Sequence, residues 1–225
     1  MSRARMMTEL RLEAAKAAAA YVEDGMVVGL GSGSTVSLMI LEIAKSGKSV
    51  EVIPASSQTY LESSKAGLAI TSLDRHPCPD LYIDSFDQVD RSRSMIKGGG
   101  AALMREKVLA AASRTRIFAG TYGKLSSKLD KPVPLEVLPF AVGYVVKVLT
   151  EDGAVPVLRT SPAKNGPVLT DNCNYILDVA FGVVEDPAGL NDCLRRIPGV
   201  LETGLFVGLA DKVIIVHEEG VVEEL

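Results

Sequence analysis

The chain has 225 residues, 47% of them hydrophobic, and a formal net charge of −4, so it can bury a core in one large domain or two small ones. The acidic balance argues against nucleic acid and anionic membrane partners, since both are bound by basic surfaces. Its three cysteines are widely spaced, so we expect no disulfide framework and no zinc site, as in a reducing cytoplasm.

The amino-terminal segment is alanine-rich but does not resemble a signal peptide, because Glu9 and Glu13 interrupt its apolar character. Leu10, Ala14 and Tyr21 share the spacing of one helical face, which predicts an amphipathic helix. No apolar run reaches the roughly 18 residues of a membrane span, and we expect a cytoplasmic protein. With only two histidines, far apart in the chain, a serine triad or a multi-histidine metal centre is hard to build.

Apolar strands then alternate with helical segments up to residue 130, which predicts a mostly parallel sheet covered on both faces. After that point the order of elements becomes β-α-β-β-α-β, the ferredoxin-like arrangement, whose last strand is predicted at VLETGLF, 200–206. A final apolar strand at 212–216 is expected to rejoin the first sheet. We therefore predict a large doubly wound, Rossmann-like α/β domain, residues 1–130 plus 207–225, with an inserted small α+β domain, residues 131–206.

The first glycine-rich loop, GLGSGST at 29–35, lies between a predicted strand and the segment STVSLMILEIAK at 34–45, whose apolar spacing predicts a helix. Ser34 occupies the last glycine position of a dinucleotide-binding fingerprint, and a P-loop lysine is missing. Backbone N–H groups at the helix start, with the hydroxyls of Ser32, Ser34 and Thr35 around Gly33, suit a monophosphate. The alternative is a helix capped by Ser32 or Ser34 that binds no ligand.

The segment YIDSFDQVD at 82–90 places Asp84 and Asp87 just past a strand end. Acids in such a loop form turns, bind magnesium, act as acid catalysts or bind sugar hydroxyls, and the segment alone does not decide between these roles.

The third loop is MIKGGGAALMREKVLA at 95–110. Gly98, Gly99 and Gly100 would let a ligand approach the backbone closely, and Lys97 would supply a cation. Glu106 shares an apolar helical stripe with Leu103 and Ala110, where partial burial would raise its pKa towards that of a useful base. The alternative is a solvated helix glutamate flanked by Arg105 and Lys107.

Together these motifs resemble the type A ribose-5-phosphate isomerase family over nearly the whole chain. The matching segments are VGLGSGST, the D-x-x-D loop, IKGGGAALMREK, Lys124, PVPLEV, GPVLTDN and IPGVLETGLF. The resemblance implies interconversion of D-ribose 5-phosphate and D-ribulose 5-phosphate in the non-oxidative pentose phosphate pathway, without metal or organic cofactor. It also implies a homodimer or homotetramer.

The resemblance further implies residue roles. Glu106 would be the base and Lys97 would stabilise the oxyanion, while Asp84 and Asp87 would hold sugar hydroxyls and assist ring opening. The substrate-binding positions it implies are Ser32, Gly33, Ser34, Thr35, Gly98, Gly99, Gly100, Lys124 and, where the family has a phosphate-binding lysine, Arg11.

Besides Arg11, three departures from the family pattern bear on these roles. The family's D-G-A-D loop here contains Ser85 and Phe86, so we expect a strained turn if the family glycine has positive φ, and added bulk close to the substrate. Cys173 replaces a glycine and is expected to affect a turn or a subunit contact. Two rival functions follow: a sugar-phosphate-binding regulatory protein with little or no catalysis, and an isomerase of a related aldose phosphate.

Overall fold

The structure is a computed structural model that describes residues 3–225. The chain divides into two compact units. The first runs up to Phe86 and adds Arg105–Leu125 and Leu209–Leu225; the second comprises Asp87–Met104 and Ser126–Gly208. The small domain predicted at 131–206 lies within the second unit.

The first unit contains a seven-stranded sheet whose strands are parallel except at one edge, where the last strand is antiparallel. In chain order its strands are β1 (Val27–Leu30), β2 (Glu51–Pro54), β3 (Ala69–Ile70), β4 (Leu81–Asp84), β7 (Thr115–Thr121), β15 (Lys212–Val216) and β16 (Val222–Glu224). Their spatial order is β16-β15-β7-β4-β1-β2-β3. The predicted α/β class and the return of strand 212–216 to this sheet are confirmed.

The helices of this unit bury apolar faces set by their sequence. They are α1 (Arg3–Ala19), α2 (Ser34–Lys45), α3 (Ser57–Lys65) and α4 (Leu103–Ala112), which begins in the second unit. Helix α1 buries Leu10, Ala14 and Ala18, and these small side chains let it pack closely on α2 and on β7. Among residues 3–225, no helix combines the length and the apolar character needed to cross a membrane.

The elements of the second unit alternate as predicted: β8 (Val133–Val137), α5 (Val142–Glu151), β9 (Val155–Leu158), β12 (Tyr175–Ala180), α6 (Pro187–Arg195) and β13 (Val200–Thr203). The four strands form an antiparallel sheet in the order β13-β8-β12-β9. The ferredoxin-like arrangement is therefore confirmed. Its core lies between one sheet face and the two helices, and includes Leu135, Val145, Leu177 and Leu194.

Four short strands of the second unit had no sequence signal: β5 (Gln88–Val89), β6 (Met95–Ile96), β10 (Thr160–Ser161) and β11 (Lys164–Pro167). A fifth, β14 (Leu205–Phe206), lies within a predicted strand. β14, β6 and β5 form a three-stranded sheet, and β10 pairs with β11. The segment VLETGLF, predicted as one strand, is divided at Gly204 into β13 and β14, which belong to different sheets.

Candidate active site

Asp84 is the last residue of β4 and is fully buried. Its carboxylate accepts hydrogen bonds from the Tyr82 hydroxyl (2.5 Å) and from the Ser85 backbone N–H (2.7 Å). Tyr82 and Asp84 are two residues apart on one strand, so both side chains lie on the same face of the sheet. Burial, the nearby charges of Asp84 and Glu106, and the hydrogen bond to Asp84 all raise the pKa of Tyr82 well above 10. Tyr82 therefore stays neutral and continues to donate to Asp84.

Gly31 makes room for this carboxylate. It follows β1, which pairs with β4, and its N–H donates to the carbonyl of Ile83 (3.1 Å). A Cβ atom at this position would lie 1.9 Å from Cγ of Asp84, far inside any allowed contact. The glycine therefore allows the carboxylate of Asp84 to lie directly against the backbone of the first loop.

Glu106 lies in the first turn of α4 and is only 3% exposed. The prediction that it lies within the buried stripe of the helix is confirmed, and the alternative of a solvated glutamate is wrong. Because its charge acts on the buried Tyr82, Glu106 and Asp84 belong to one electrostatic cluster in the first unit. The start of a helix also favours negative charge on such a carboxylate.

The loop after Asp84 accommodates Ser85 and Phe86, the two residues at which it departs from the family pattern. Among residues 3–225, positive φ outside glycine occurs at Arg93, Ala101 and Cys173, so the strain expected at Ser85 is absent. The Phe86 ring is buried, and a Cβ atom on Gly120 would lie 2.7 Å from its Cζ. The bulk of the ring is thus accommodated by the missing side chain at Gly120.

Lys124 stabilises the same loop from the short 3₁₀ turn Tyr122–Lys124. Its ammonium donates to the backbone carbonyl of Phe86 and, at 3.2 Å, to the Ser85 hydroxyl. It also lies 5.7 Å from the centroid of the Phe86 ring, within the range of a cation–π contact. The substituted loop is therefore held at both of its new side chains.

The first glycine loop does not contain the side-chain cap considered in the sequence analysis. Gly33 is the N-cap residue of α2, with φ of 103° and no side-chain cap hydrogen bond, whereas the Ser32 hydroxyl bonds to the Ser56 hydroxyl (2.9 Å). Ser34 is exposed and Thr35 is buried. The interpretation of Ser32 or Ser34 as the helix cap is wrong. Arg11 is half-buried on α1, the helix that packs against α2.

In the second unit, the lysine–glycine segment is fixed mainly through its backbone. The Lys97 N–H donates to the carbonyl of Gly204 (2.8 Å) and the Gly99 N–H donates to Oδ2 of Asp87 (2.8 Å). Gly98 has φ of 110°, a region that disfavours side chains, and a Cβ there would lie 2.7 Å from Cδ2 of Leu103.

Lys97 is 3% exposed, and its ammonium lies 5.3 Å from the centroid of the Phe206 ring. The attraction between ring and ammonium offsets part of the free energy that the cation loses when it is removed from water. Gly99 and Gly100 are exposed, unlike Gly98.

Within each unit, then, particular candidates come together. In the first, Asp84 accepts a hydrogen bond from Tyr82 and the charges of Asp84 and Glu106 both act on Tyr82. In the second, Asp87 contacts the glycine segment. Sequence reasoning missed Tyr82, although its position two residues before Asp84 on a strand could have identified it. In the part of the chain from residue 3 onwards, no group of three or more His, Cys, Asp or Glu side chains could hold a metal ion.

Comparison with known proteins gives one consistent family. The family model for ribose 5-phosphate isomerase A (phosphoriboisomerase A) matches residues 51–220. Ribose-5-phosphate isomerase A of Methanosarcina acetivorans is 45% identical over 87% of this chain and 85% of its own length. The corresponding protein of Natronomonas pharaonis is 44% identical over 92% of this chain and 93% of its own.

Solved structures agree with the sequence matches. A D-ribose-5-phosphate isomerase in complex with phospho-erythronic acid superposes with a TM-score of 0.93 and 38% identity, covering 96% of this chain and 97% of its own. Ribose 5-phosphate isomerase A from Methanocaldococcus jannaschii gives a TM-score of 0.91 at 34% identity, over 96% of this chain and 98% of its own.

Proposed function

The chain belongs to the ribose 5-phosphate isomerase A family, and on this premise we propose that it interconverts D-ribose 5-phosphate and D-ribulose 5-phosphate. The observation that carries the proposal is the identity of 45% to a curated isomerase over 87% of the chain. This reaction belongs to the non-oxidative pentose phosphate pathway. The relatives give no support to a regulatory protein without catalysis or to another aldose phosphate as substrate.

We propose Glu106 as the base that moves a proton between C2 and C1 of the open-chain sugar through an enediolate. Its burial supports this role, because a carboxylate with few water molecules around it is a stronger base than one in solution. As the proton leaves C2, negative charge develops on the carbonyl oxygen. We assign its stabilisation to Lys97, whose cation is also buried.

We propose that Asp84 and Asp87 bind sugar hydroxyls and assist ring opening. The two donors on Asp84, the Tyr82 hydroxyl and the Ser85 N–H, fix the direction of its carboxylate before substrate arrives. Such preorganisation matters, because a displacement of about 1 Å can cost about a hundredfold in rate.

For the phosphate group we propose Ser32, Gly33, Ser34 and Thr35, with Arg11 as an additional cation. In support, Gly33 caps α2 without a side chain, so the first N–H groups of the helix are open to an anion. Lys124, Gly98, Gly99 and Gly100 complete the proposed substrate contacts. A solved relative that holds phospho-erythronic acid supports a phosphorylated sugar as the class of ligand.

The decisive test replaces Glu106 by Gln, which preserves size and removes the base. We expect turnover of ribose 5-phosphate to fall by at least about a hundredfold, while calorimetric titration still shows binding. Glu151→Gln, at an exposed ion pair of α5, is the matched control and should retain wild-type turnover. Near-normal turnover of Glu106→Gln would exclude Glu106 as the base.

A second measurement uses the wild type in deuterium oxide, where the product should carry solvent deuterium at C1.

We also propose a cytoplasmic location and a homodimer or homotetramer. The cysteines are free and exposed, as in proteins of a reducing compartment. In the second unit, large apolar side chains are exposed at Phe140 (96%), Val155 (61%) and Val157 (58%), and a second copy of the chain would cover them. Light scattering of the purified protein measures the subunit number directly, and a monomer would refute the assembly.

A further inference from the structure

Arg159, between β9 and β10, connects an acidic residue of the small sheet with the glycine segment. Its guanidinium forms a two-pronged ion pair with Asp178: Nε donates to Oδ2 at 2.8 Å, and Nη2 donates to Oδ1. The remaining nitrogen, Nη1, donates to the carbonyl oxygens of Gly98 (2.7 Å) and Gly99 (3.2 Å). All four residues belong to the second unit.

The contact with Gly98 involves the same peptide group that binds Asp87. The carbonyl of Gly98 and the N–H of Gly99 belong to one peptide plane, and no described peptide bond is cis. In a trans peptide these two groups point in opposite directions. Arg159 therefore holds one end of the peptide, and Asp87 accepts from the other at 2.8 Å.

The backbone at Gly98 does not by itself fix the orientation of the peptide that follows it. Glycine at φ of 110° has wide conformational freedom, so the chain alone does not hold this peptide in one orientation. The local turn adds one neutral donor to the carbonyl of Gly98, the N–H of Ala101 at 3.0 Å. A charged donor forms a stronger hydrogen bond than a neutral one and also polarises the peptide towards Asp87.

We propose that Arg159 is a positioning residue for the isomerase: by holding the Gly98–Gly99 peptide, it fixes Asp87 for reaction. The inference rests on the proposed role of Asp87. Asp178 orients the guanidinium, since its two oxygens occupy Nε and Nη2 and leave Nη1 directed at the carbonyls.

The test compares Arg159→Ala with Arg116→Ala. Arg116 forms an equivalent two-pronged pair with Asp211 (2.9 and 2.8 Å) in the first unit, so its loss controls for removal of an ion pair. We expect kcat/KM to fall about tenfold to a hundredfold in Arg159→Ala and to stay within about twofold of wild type in the control. If Arg159→Ala does not fold, Arg159→Met with Asp178→Asn removes the donors without leaving the half-buried carboxylate of Asp178 unpaired.

A double-mutant cycle with Asp87→Ala separates positioning from a general loss of structure. If Arg159 acts through Asp87, its removal should cost less than about threefold once Asp87 is absent. An equal loss in both backgrounds, or an unchanged kcat/KM in folded Arg159 variants, overturns the inference. If Asp87→Ala itself retains full activity, the role proposed for Asp87 fails, and the inference fails with it.

Discussion

The contact between Gly31 and Asp84 gives a sharp prediction for the change Gly31→Ala. The new Cβ would lie 1.9 Å from Cγ, 2.0 Å from Oδ1 and 2.3 Å from Oδ2 of Asp84. An ordinary contact needs about 3.4 Å or more, so the carboxylate must retreat by roughly 1 Å or more. The backbone of Gly31 cannot yield easily, because its N–H is bonded to Ile83 on the neighbouring strand.

Two losses follow from this displacement. Moving the carboxylate breaks the hydrogen bonds from Tyr82 and Ser85, and overpacking of this kind costs about 1–3 kcal/mol of unfolding free energy. Because Asp84 is a proposed substrate contact, kcat/KM should also fall by about a hundredfold. Urea unfolding measures the first quantity and a coupled isomerase assay measures the second.

Gly123→Ala is the matched control, since a Cβ at Gly123 meets nothing within 4 Å. It should change neither quantity, although Gly123 directly precedes Lys124. Wild-type kcat/KM in Gly31→Ala would refute either the packing of the carboxylate against Gly31 or the role of Asp84. A substrate-bound crystal structure of the variant would tell these two apart.

Three further predictions concern stability and can be measured by urea unfolding. Folding raises the pKa of Tyr82 well above 10, so its contribution to the free energy of unfolding is complete below pH 10 and is lost as pH rises through the native pKa. The free energy of unfolding of Tyr82→Phe should therefore fall less steeply with alkaline pH than that of the wild type. An unchanged slope would contradict this. Cys173 has φ of 62°, so Cys173→Gly should stabilise the protein by about 0.5–1 kcal/mol after the entropy of glycine is subtracted, whereas Cys193→Ser should not. Gly120→Ala should destabilise by about 1–3 kcal/mol through its clash with Phe86, and in a Phe86→Ala background the same glycine change should cost much less.

The fold could be predicted wherever the apolar pattern is long. Helix α2 begins and ends at the predicted residues, because Val36, Met39, Ile40 and Ile43 repeat with helical spacing and are all buried. The two-residue strands β5 and β6 could not be predicted, since two residues cannot show a period. β14 lies within the predicted strand VLETGLF, but its pairing with β6 joins residues that are distant in sequence and has no local signal.

The site could be predicted in its residue types but not in its supporting contacts. Burial of Glu106 followed from its place beside Leu103 and Ala110 on one helical face. The contact between Arg159 and Gly98 joins residues 61 positions apart, and no local pattern marks it. An arginine near a strand end is typical of a solvated surface, so only the three-dimensional structure indicates its role.

The substitutions that distinguish this chain from its family's pattern show why a motif alone does not determine the effect of a change. Ser85 was expected to strain the acid loop, but its backbone lies outside the positive-φ region, so a side chain there costs little. Phe86 would clash in a loop that faced a β7 residue with a side chain, yet the residue it meets is Gly120, and Lys124 lies over its ring. Cys173 has neither advantage. Its backbone lies in the left-handed region, and the contacts described around it show no second change that compensates for this strain. The same kind of departure is therefore neutral, compensated or strained according to backbone angle and available space, and the two departures nearest Asp84 are the ones that the structure accommodates.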